Sequence, residues 1–386
     1  MAKKGIMKIG VVTPAAIGLG RDILLGVRAY CDAHPQCELK VISSRGDIPE
    51  GKATKFPVDC IVYFSSDSQK IQDLLLNCPR VVSTSNQHRV TLCPQVVSDD
   101  VQVGQLAARK FIERGHRNLV FIGPGHLMFS QQRQEGFEAA AREKGCEISR
   151  LELDDGLEVP GVLKALSRMH KPMGLFCASD LHARWIMENL QNPAKMIPAK
   201  YAMIGVDNDP LEQALCPMGL SSVMLAGRQI GFQAAKIGRE WTEGKPPPTV
   251  PMFLAPLGIV SRQSTRTLVY ENPMVTRCIK RIEETPEAFA DVADLVRELK
   301  VPRRTLELHF EKETGMGVGG HLRAARIRKA SDLLGNTELS MKEISYLVGF
   351  SEPRMLSLVF KRETGETPSQ FRSRVRGQSS ISDQTK

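Results

Sequence analysis

Two arginines occupy equivalent places beside a segment that the chain contains twice. Arg304 lies two positions before residues 306–315, and Arg354 lies two positions before residues 356–365. The two ten-residue segments lie 50 residues apart and are identical at six positions. An arginine on the exposed face of a helix can donate to both O6 and N7 of a guanine. The repeated arginines therefore indicate base recognition in duplex DNA.

Each copy of the repeat has the pattern of an amphipathic helix that ends at a glycine. Leu and Phe recur four residues apart on one face, and Gly315 and Gly365 suit a left-handed helix cap. A shorter amphipathic helix is predicted before each copy, at Val292–Leu299 and at Met341–Val348. Helix, tight turn and helix, found twice, predict two helix-turn-helix units whose second helices enter the major groove.

The two predicted turns differ in composition. The second contains Gly349-Phe350, and Ser351 is the predicted N-cap of the helix that follows, with Pro353 early in that helix. The first has Lys300 and Pro302 at the matching places. We therefore expect the second helix of each unit to enter the groove, although the first unit lacks the Gly-Phe turn and the Ser cap of the second.

A single helix at residues 321–334 is predicted between the two units. At 1.5 Å per residue it is about 21 Å long, which suits a spacer that places two recognition helices about 34 Å apart, one turn of duplex. Its basic face could contact phosphate or only solvent. The residues of that face are Arg323, Arg326, Arg328 and Lys329.

Helical geometry selects the exposed residues of the two recognition helices as candidate DNA contacts. Each can contact a base, contact a phosphate or face only solvent, and Glu307 can accept from a cytosine amine. Charge does not single out this region, since residues 271–320 have a net charge of −2 and residues 321–376 one of +5. The candidates are Arg303, Arg304, Glu307 and His309 in the first unit and Arg354, Met355, Ser357 and Lys361 in the second.

A set of C-terminal motifs resembles the signature of AraC-type transcription regulators over about residues 288–374. Four departures concern the recognition helices: Pro302 replaces the usual Ser cap, Leu308 and Leu358 stand where many relatives have Arg, and Met355-Leu356 replaces the aromatic pair often found there. The motifs that carry the resemblance are Gly349-Phe350, Phe360-Lys361, Gly365, Pro368 and Phe371-Arg372.

The first two thirds of the chain alternate short apolar runs with segments of helical period. Continuous apolar strands between helices are typical of a parallel sheet covered on both faces. Two doubly wound lobes fit this length better than one sheet, and Phe253–Val260 is expected as a closing strand. The predicted strands include Met7–Val12, Cys60–Phe64, Leu119–Gly123, Gly174–Ala178 and Tyr201–Val206, and the predicted helices include Ile23–His34, Val101–Arg114, Gln134–Lys144, Ala183–Leu190 and Gly227–Glu243.

Two aspartates directly follow predicted strands. Asp180 and Asp207 stand where the carboxyl ends of parallel strands line a cleft. A sugar needs carboxylates, amides and an Arg in such a cleft, because its hydroxyl groups both donate and accept. The alternative for an Asp after a strand is a helix N-cap. Weaker ligand candidates are Asn208, Asp99, Arg21 and Asp22.

A second set of motifs, in order along residues 6–265, resembles the sugar-binding core of the LacI/GalR repressors. The resemblance implies a ligand between two lobes, with Arg133 of the Ser130-x-x-Arg133-x-x-Gly136-Phe137 pattern on the ligand oxygens. Those repressors carry a helix-turn-helix ahead of the core, whereas here the core begins at Ile6 and the helical units follow it. The motifs lie at residues 97–116, 130–137, 179–180, 204–208 and 262–265.

Several classes are disfavoured by composition and spacing. The 386 residues contain nine scattered cysteines without a C-x-x-C pair, which suits reduced thiols in a cytoplasmic protein better than disulfides or a metal site. No apolar run approaches the ~20 residues of a membrane span, and Lys8 and Gly10 interrupt the N-terminal apolar stretch, which argues against a signal peptide. No P-loop, dinucleotide fingerprint or catalytic triad stands out, so we expect no enzyme, cofactor or metal.

The predicted architecture is an α/β two-lobed periplasmic-binding-protein-like sensor domain at residues 1–265 and an all-α double helix-turn-helix DNA-binding domain at residues 287–376. A linker at 266–286 joins them, and 377–386 is expected to be a disordered tail. The combined resemblance implies an activator that responds to a pentose, xylose in particular. It also implies a homodimer on direct-repeat half-sites spanning two successive major grooves, with RNA polymerase left open as a partner. Two alternatives remain: a sugar-binding protein without a DNA role, and a sugar-processing enzyme with a regulatory tail.

Overall fold

The computed structural model of the chain describes residues 6–43, 57–64, 67–90, 92–154 and 156–375. The predicted tail at 377–386 lies outside this range. The chain divides into two compact units: an α/β unit formed by residues 1–112 and 116–267, and a helical unit formed by residues 113–115 and 268–386.

The α/β unit alternates strands and helices along the chain, as the periodicity predicts. Apart from Phe253–Val260, the predicted strands and helices correspond to observed elements, with boundaries that differ by up to six residues. In chain order the elements are β1 (Met7–Val12), α1 (Gly18–Ala33), β2 (Cys37–Ser43), β3 (Cys60–Tyr63), α2 (Ser68–Asn77), β4 (Val81–Ser83), β5 (Val96–Ser98), α3 (Asp100–Glu113), β6 (Asn118–Gly123), α4 (Met128–Glu143), β7 (Glu147–Glu152), α5 (Val159–Arg168), β8 (Met173–Cys177), α6 (Asp180–Asn189), α7 (Pro193–Met196), β9 (Tyr201–Val206), α8 (Pro210–Leu215), β10 (Ser221–Met224), α9 (Gly227–Thr242), β11 (Met252–Leu254) and β12 (Gly258–Val260).

The first lobe is a parallel sheet of four described strands, in the order β2-β1-β3-β4. Helices α1 and α9 cover one face, where Ile23 and Ile230 pack with Val11 of β1. Helix α2 covers the other face, where Ile71 packs with Ile61 of β3. Burial on both faces explains why these strands are continuous apolar runs in the sequence.

The second lobe is a sheet of six described strands, in the order β12-β10-β9-β8-β6-β7. The pairings are parallel except for β12, which is antiparallel to β10. Phe111 of α3 and Phe137 of α4 pack on one face, and Leu166 of α5 and Ile186 of α6 pack on the other. The predicted two-lobed α/β fold is therefore confirmed.

The segment Phe253–Val260, predicted as one closing strand, forms two strands in different sheets. β11 pairs in parallel with β5, whereas β12 joins the edge of the second lobe. The prediction of a single strand was wrong because the run of apolar residues crosses from one sheet to the other at Ala255-Pro256. This pair of crossing strands connects the two lobes.

The helical unit has two hydrophobic cores that share one helix. Val275 and Ile279 pack in the first core with Leu306 and Phe310, so the segment expected to be a linker contributes a helix to this core. The second core contains Leu356 and other residues from the second half of the unit. The helices are α10 (Pro273–Glu284), α11 (Val292–Leu299), α12 (Arg303–Thr314), α13 (Val318–Asn336), α14 (Met341–Leu347), α15 (Pro353–Thr364) and α16 (Pro368–Val375).

Candidate functional site

The carboxyl ends of β8 and β9 bring two of the predicted aspartates together in the second lobe. Asp180 begins α6 directly beyond β8, and Asp207 follows β9. The two strands are hydrogen-bonded neighbours, so their ends lie side by side. Asp207 and Asn208 both have left-handed backbone conformations, with φ of 105° and 50°. Such residues are uncommon outside glycine, and the surrounding bonds must hold the turn in place.

Asp180 is almost fully buried, and protein donors occupy its carboxylate. The Ser222 hydroxyl donates to Oδ1 at 2.6 Å, and the backbone NH of Asp209 donates to Oδ2 at 3.0 Å. Burial and the nearby Asp207 carboxylate raise the pKa of Asp180 to about 8. This carboxyl therefore fixes the turn at 207–209 against β10.

The carboxylate of Asp207 has no hydrogen-bond partner in the part of the chain that the structure describes. Burial raises its pKa to about 7, while the Arg133 guanidinium acts in the opposite direction. A partly buried carboxylate without a protein donor can accept hydrogen bonds from two ligand hydroxyl groups. Asp207 is therefore the group in this turn that is available to a ligand.

Arg133 of α4 lies in a buried polar network that reaches both lobes. Its Nε donates to Asp100 Oδ1 at 2.7 Å, and its Nη1 donates to the carbonyl oxygen of Ala178. Asn86, which follows β4, donates through Nδ2 to Asp100 Oδ2 at 2.9 Å and to Gln132 Oε1 at 2.6 Å. The network therefore orients the guanidinium beside the ends of β8 and β9.

Two glycines allow α3 and α4 to approach closely enough for the Arg133–Asp100 pair to form. A Cβ atom on Gly104 would lie 1.9 Å from the carbonyl oxygen of Arg133. A Cβ atom on Gly136 would lie 2.0 Å from the carbonyl oxygen of Val101. Any side chain at either place would separate the helices. Gly136 of the Ser130-x-x-Arg133-x-x-Gly136-Phe137 pattern is therefore required by helix packing.

Asp99, a weaker ligand candidate, caps α3. Its carboxylate accepts from the backbone NH of Gln102 at 3.0 Å and from Gln102 Nε2 at 2.7 Å. The buried carboxylate belongs to its neighbour Asp100, which is 2% exposed. The sequence contained a sign that Asp100 is the buried residue. If Asp99 is the N-cap, Asp100 is the first residue of the helix, and its side chain can point into the protein. Asn86, which completes the network, lies in none of the quoted motifs, and Gln132 lies within residues 130–137 but was not selected as a candidate.

Arg21 and Asp22 lie in different surroundings. Arg21 Nη2 lies 2.6 Å from Asp209 Oδ1, and Arg21 Nη1 donates to the carbonyl of Ala15. This ion pair joins α1 of the first lobe to the start of α8 in the second. Asp22 Oδ1 lies 3.7 Å from Arg228 Nε, and burial raises the pKa of Asp22. Arg21 therefore links the lobes, whereas Asp22 belongs to the contact between α1 and α9.

Asn208 is held by residues behind the turn. Its Oδ1 accepts from Arg262 Nη2 at 2.7 Å, and its backbone NH donates to the Ser222 hydroxyl at 2.9 Å. Arg262 also donates through Nη1 to the carbonyl of Leu220 at 2.8 Å. Asn208 and the unpredicted Arg262 therefore anchor the turn that presents Asp207.

Thr13, Ser85 and Ser130 each bury a hydroxyl group that has no partner among the described residues. Thr13 follows β1 and Ser85 lies just beyond β4, at the carboxyl edge of the first sheet, whereas Ser130 lies on α4. An unpaired buried hydroxyl costs free energy. The three groups therefore suit a site that a ligand with several hydroxyl groups completes.

The helical unit contains both predicted helix-turn-helix units. In the first turn Lys300 has φ of 54°, and the NH of Val301 donates to the carbonyl of Val296. In the second, Gly349 has φ of 86°, and the NH of Phe350 donates to the carbonyl of Ser345. Both turns are left-handed helix caps closed by a bond five residues back.

The start of the second recognition helix differs from the prediction. Glu352 is the N-cap and Pro353 is the first helical residue, so the prediction that Ser351 caps the helix was wrong. Proline suits the first helical position because it has no backbone NH to satisfy there, so the cap falls on the residue before Pro353 and the turn is one residue longer than expected. The first recognition helix has Pro302 as N-cap, without a side-chain bond.

The candidate DNA contacts occupy exposed and half-exposed positions on α12 and α15. Arg303 pairs with Glu307 at 2.8 Å along α12, and the Ser357 hydroxyl donates to the carbonyl of Pro353 within α15. Because Arg303, Glu307 and Ser357 make bonds within their own helices, the remaining candidates are better placed to contact DNA. Arg304, Arg354, Met355 and Lys361 are exposed, and His309 is half-exposed.

The basic face predicted for the spacer helix is mostly engaged inside the unit. Arg326 is buried and donates to the carbonyls of Pro286 and Phe289, so neither alternative predicted for it, phosphate or solvent, holds. Its guanidinium also lies over the Phe350 ring, 5.5 Å from the centroid. Lys329 pairs with Glu287 at 2.7 Å, whereas Arg323 stays exposed.

Neither a metal-binding cluster of three His, Cys, Asp or Glu residues nor a helix able to span a membrane occurs among the residues that the structure describes.

Comparison with known proteins supports both units. Residues 108–265 match a family model described as a periplasmic binding protein-like domain, and residues 295–374 match one described as a helix-turn-helix domain. A xylose operon regulatory protein of Haemophilus influenzae is 25% identical over 291 residues, covering 72% of this chain and 74% of the relative. A protein of the same description from Escherichia coli K12 is 29% identical over 199 residues, covering 52% of this chain and 51% of the relative.

A solved structure described as the xylose-binding transcription activator xylR has the same fold. The TM-score is 0.60 at 21% sequence identity, and the match covers 97% of this chain and 99% of that chain. The fold and the matched domains define a helix-turn-helix transcription regulator with a periplasmic binding protein-like domain, and the enzyme alternative is excluded because the relatives are transcription regulators. This chain is homologous to the xylose operon regulatory proteins.

Proposed function

We propose that this chain is a cytoplasmic, pentose-responsive transcription regulator whose effector, D-xylose in first place, binds between the two lobes. The observation that carries the proposal is the Asp207 carboxylate, which has no protein donor in the described part of the chain and lies under the influence of Arg133. The names of the relatives and of the structural neighbour support a pentose as the effector.

The arrangement suits a small sugar because donors and acceptors come from both lobes. Thr13 and Ser85 offer hydroxyls from the first lobe, and Arg133 and Asp207 offer a cation and a carboxylate from the second. A ligand that bonds to both sides favours the conformation in which the lobes are close together. The Arg21–Asp209 pair would stabilise the same conformation. The effector changes regulation only through its different affinities for the two conformations.

The DNA-binding part of the proposal follows from the two helix-turn-helix units. A homodimer would bind direct-repeat half-sites, with α12 and α15 of each chain in successive major grooves. We assign α10 to this unit because its buried face lies in the first core, which shortens the linker expected at 266–286. RNA polymerase is the proposed protein partner of an activator at such a site.

The effector site is tested by calorimetric titration of the full-length protein with D-xylose, D-ribose, L-arabinose and D-glucose. We expect one pentose to bind, and Asp207→Asn to weaken it at least tenfold because a buried charged acceptor is lost. Asp99→Asn is the matched control, since Asp99 caps a helix, and it should leave affinity within about twofold. Equal affinities for wild type and Asp207→Asn would contradict the proposed site.

The ionisation of Asp207 adds a pH dependence. Its pKa of about 7 predicts that effector affinity rises from pH 6 to pH 8 as the carboxylate ionises and accepts from the sugar. The same raised pKa makes the ligand-free protein lose stability as pH rises from about 4 through 7. Asp207→Asn should remove the trend in affinity and reduce the trend in stability, because Asp180, whose pKa is about 8, still contributes to the trend in stability.

Regulation is tested by measuring operator binding by fluorescence anisotropy at fixed salt, with and without each sugar. A change in operator affinity with one pentose supports the proposal. If no pentose, hexose or sugar phosphate changes operator affinity, the chain is not a sugar-responsive regulator.

A further inference from the structure

A row of three side chains runs along the outer face of each recognition helix. On α12 it consists of Arg304, Leu308 and Lys312, which lie four residues apart and therefore one above another. On α15 the matching row is Arg354, Leu358 and Arg362. Each row places a leucine between two cations, and the two rows are related by the 50-residue repeat.

The central leucines point away from the hydrophobic cores. Leu306 and Leu356, which face the cores, are fully buried. A residue two positions further along a helix is rotated by about 200°, so Leu308 and Leu358 lie nearly opposite the buried faces. They are 68% and 58% exposed. The sequence predictions selected Arg304 and Arg354 of these rows and the neighbours at 307, 309, 355 and 357, but they named Leu308 and Leu358 only as departures from the family signature.

The flanking charges identify what would cover these leucines. Arg304, Lys312 and Arg354 are exposed cations, and Arg362 is exposed while also bonding to the adjacent Glu363. A surface that alternates cation, leucine and cation is complementary to a polyanion with an apolar group between its charges. The major groove of duplex DNA offers this pattern, because the thymine C5-methyl group is the apolar group on its floor and phosphates line its walls.

We propose that Leu308 and Leu358 each read the methyl group of a thymine, one in each of two successive major grooves. The inference rests on the proposed DNA binding and adds the base that each helix selects. A leucine offers no hydrogen bond, so it discriminates by burying the methyl group of a thymine. The two thymines occupy equivalent positions about 10 base pairs apart.

The test uses duplexes that the full-length protein itself enriches from a random-sequence library. Each thymine of the enriched sequence is replaced singly by deoxyuridine, which removes the methyl group and keeps the base pairing. We expect two positions in each half-site, about 10 base pairs apart, at which the replacement weakens binding about fourfold, the factor for one buried methyl group.

Two variants assign these positions to the leucines. Leu308→Ala should abolish the effect of deoxyuridine at one of the two positions in each half-site and keep it at the other, and Leu358→Ala should do the reverse. Leu347→Ala is the matched control, because Leu347 is an exposed leucine of α14, and it should leave both effects unchanged.

The outcomes separate this inference from the proposed function. Binding of an enriched duplex that no deoxyuridine weakens, or an effect that survives both leucine variants, overturns the thymine assignment and leaves DNA binding in place. Leucine variants that impair only recruitment of RNA polymerase also overturn it. Failure to enrich any duplex overturns the proposed function, and the thymine assignment with it.

Discussion

Each helix-turn-helix unit has one left-handed residue in its turn, which lies two positions before the N-cap in the first unit and three positions before it in the second. Lys300 and Gly349 both adopt a left-handed conformation, although this costs a lysine about 1–2 kcal/mol and a glycine little. Lys300 is exposed, so its side chain has room. A Cβ atom on Gly349 would lie 2.8 Å from Cα of Glu287. Glycine is therefore required where the backbone of another segment approaches, and the turn alone does not require it.

The cores of the two units differ in one ring. Phe310 makes an edge contact with His321 at 4.8 Å, and Phe360 makes an edge contact with Phe371 at 5.4 Å between ring centroids. Positions 321 and 371 are again 50 residues apart, so the repeat extends beyond the ten residues first recognised. The first unit thus carries a titratable ring where the second carries an apolar one.

The largest effects are expected from the paired core phenylalanines. Phe310→Ala and Phe360→Ala each remove a fully buried ring, at a cost of about 3–5 kcal/mol. Native-state hydrogen exchange should show the loss of protection in α11 and α12 for the first variant and in α14 and α15 for the second. If either variant loosens all four helices equally, the units fold as one, and comparing them as separate units is wrong.

Smaller effects are expected at the two turns, where one substitution should destabilise the unit and the other should stabilise it. Gly349→Ala should lower the free energy of unfolding by about 2–3 kcal/mol, from the left-handed conformation and the contact with Glu287. Lys300→Gly should raise it by up to about 1 kcal/mol because it removes the same conformational cost. Thermal denaturation of the two variants measures both. A stabilising Gly349→Ala would show that the approach of residue 287 does not constrain the turn.

The smallest expected effect is a pH dependence confined to the first unit. Burial lowers the pKa of His321 to about 4, with Arg328 acting in the same direction and Glu283 against it. The unfolded chain binds a proton near pH 6.5, so stability is lost as pH falls from there toward 4, by roughly 1–2 kcal/mol at pH 5. His321→Phe, which copies position 371, should remove this loss. Hydrogen exchange in α12 at pH 7 and pH 5 measures it, with α15 as the internal control.

The fold was predictable from the sequence to the extent that it depends on local periodicity. Strands such as Met7–Val12 and Tyr201–Val206 are apolar throughout because both faces are covered, and this is visible residue by residue. The repeat revealed the helix-turn-helix units in the same way. The split of Phe253–Val260 between two sheets was not predictable, because strand partners are chosen by distant residues such as those of β5 and β10.

The candidate sites were predictable by type and less so by individual role. Sequence placed Asp180 and Asp207 at a common edge, but only the coordinates show that Ser222 occupies the first carboxylate and leaves the second available. Arg326 looked like one more cation on a basic helix, whereas it is buried against carbonyls of a segment 37–40 residues away. Whether a charged side chain faces solvent or a distant carbonyl depends on tertiary packing that local pattern does not contain.

Helix α13 contributes Leu322 and Ala325 to the first core and Ile327 and Ala330 to the second. Because it is continuous through both, inserting one residue between them would rotate one recognition helix by about 100° relative to the other and shift it by 1.5 Å. The distance and the angle between the two recognition helices therefore cannot change by small amounts. Related chains can change which bases they select by substituting single side chains, but they inherit the spacing between the two recognition helices of one chain as a fixed property.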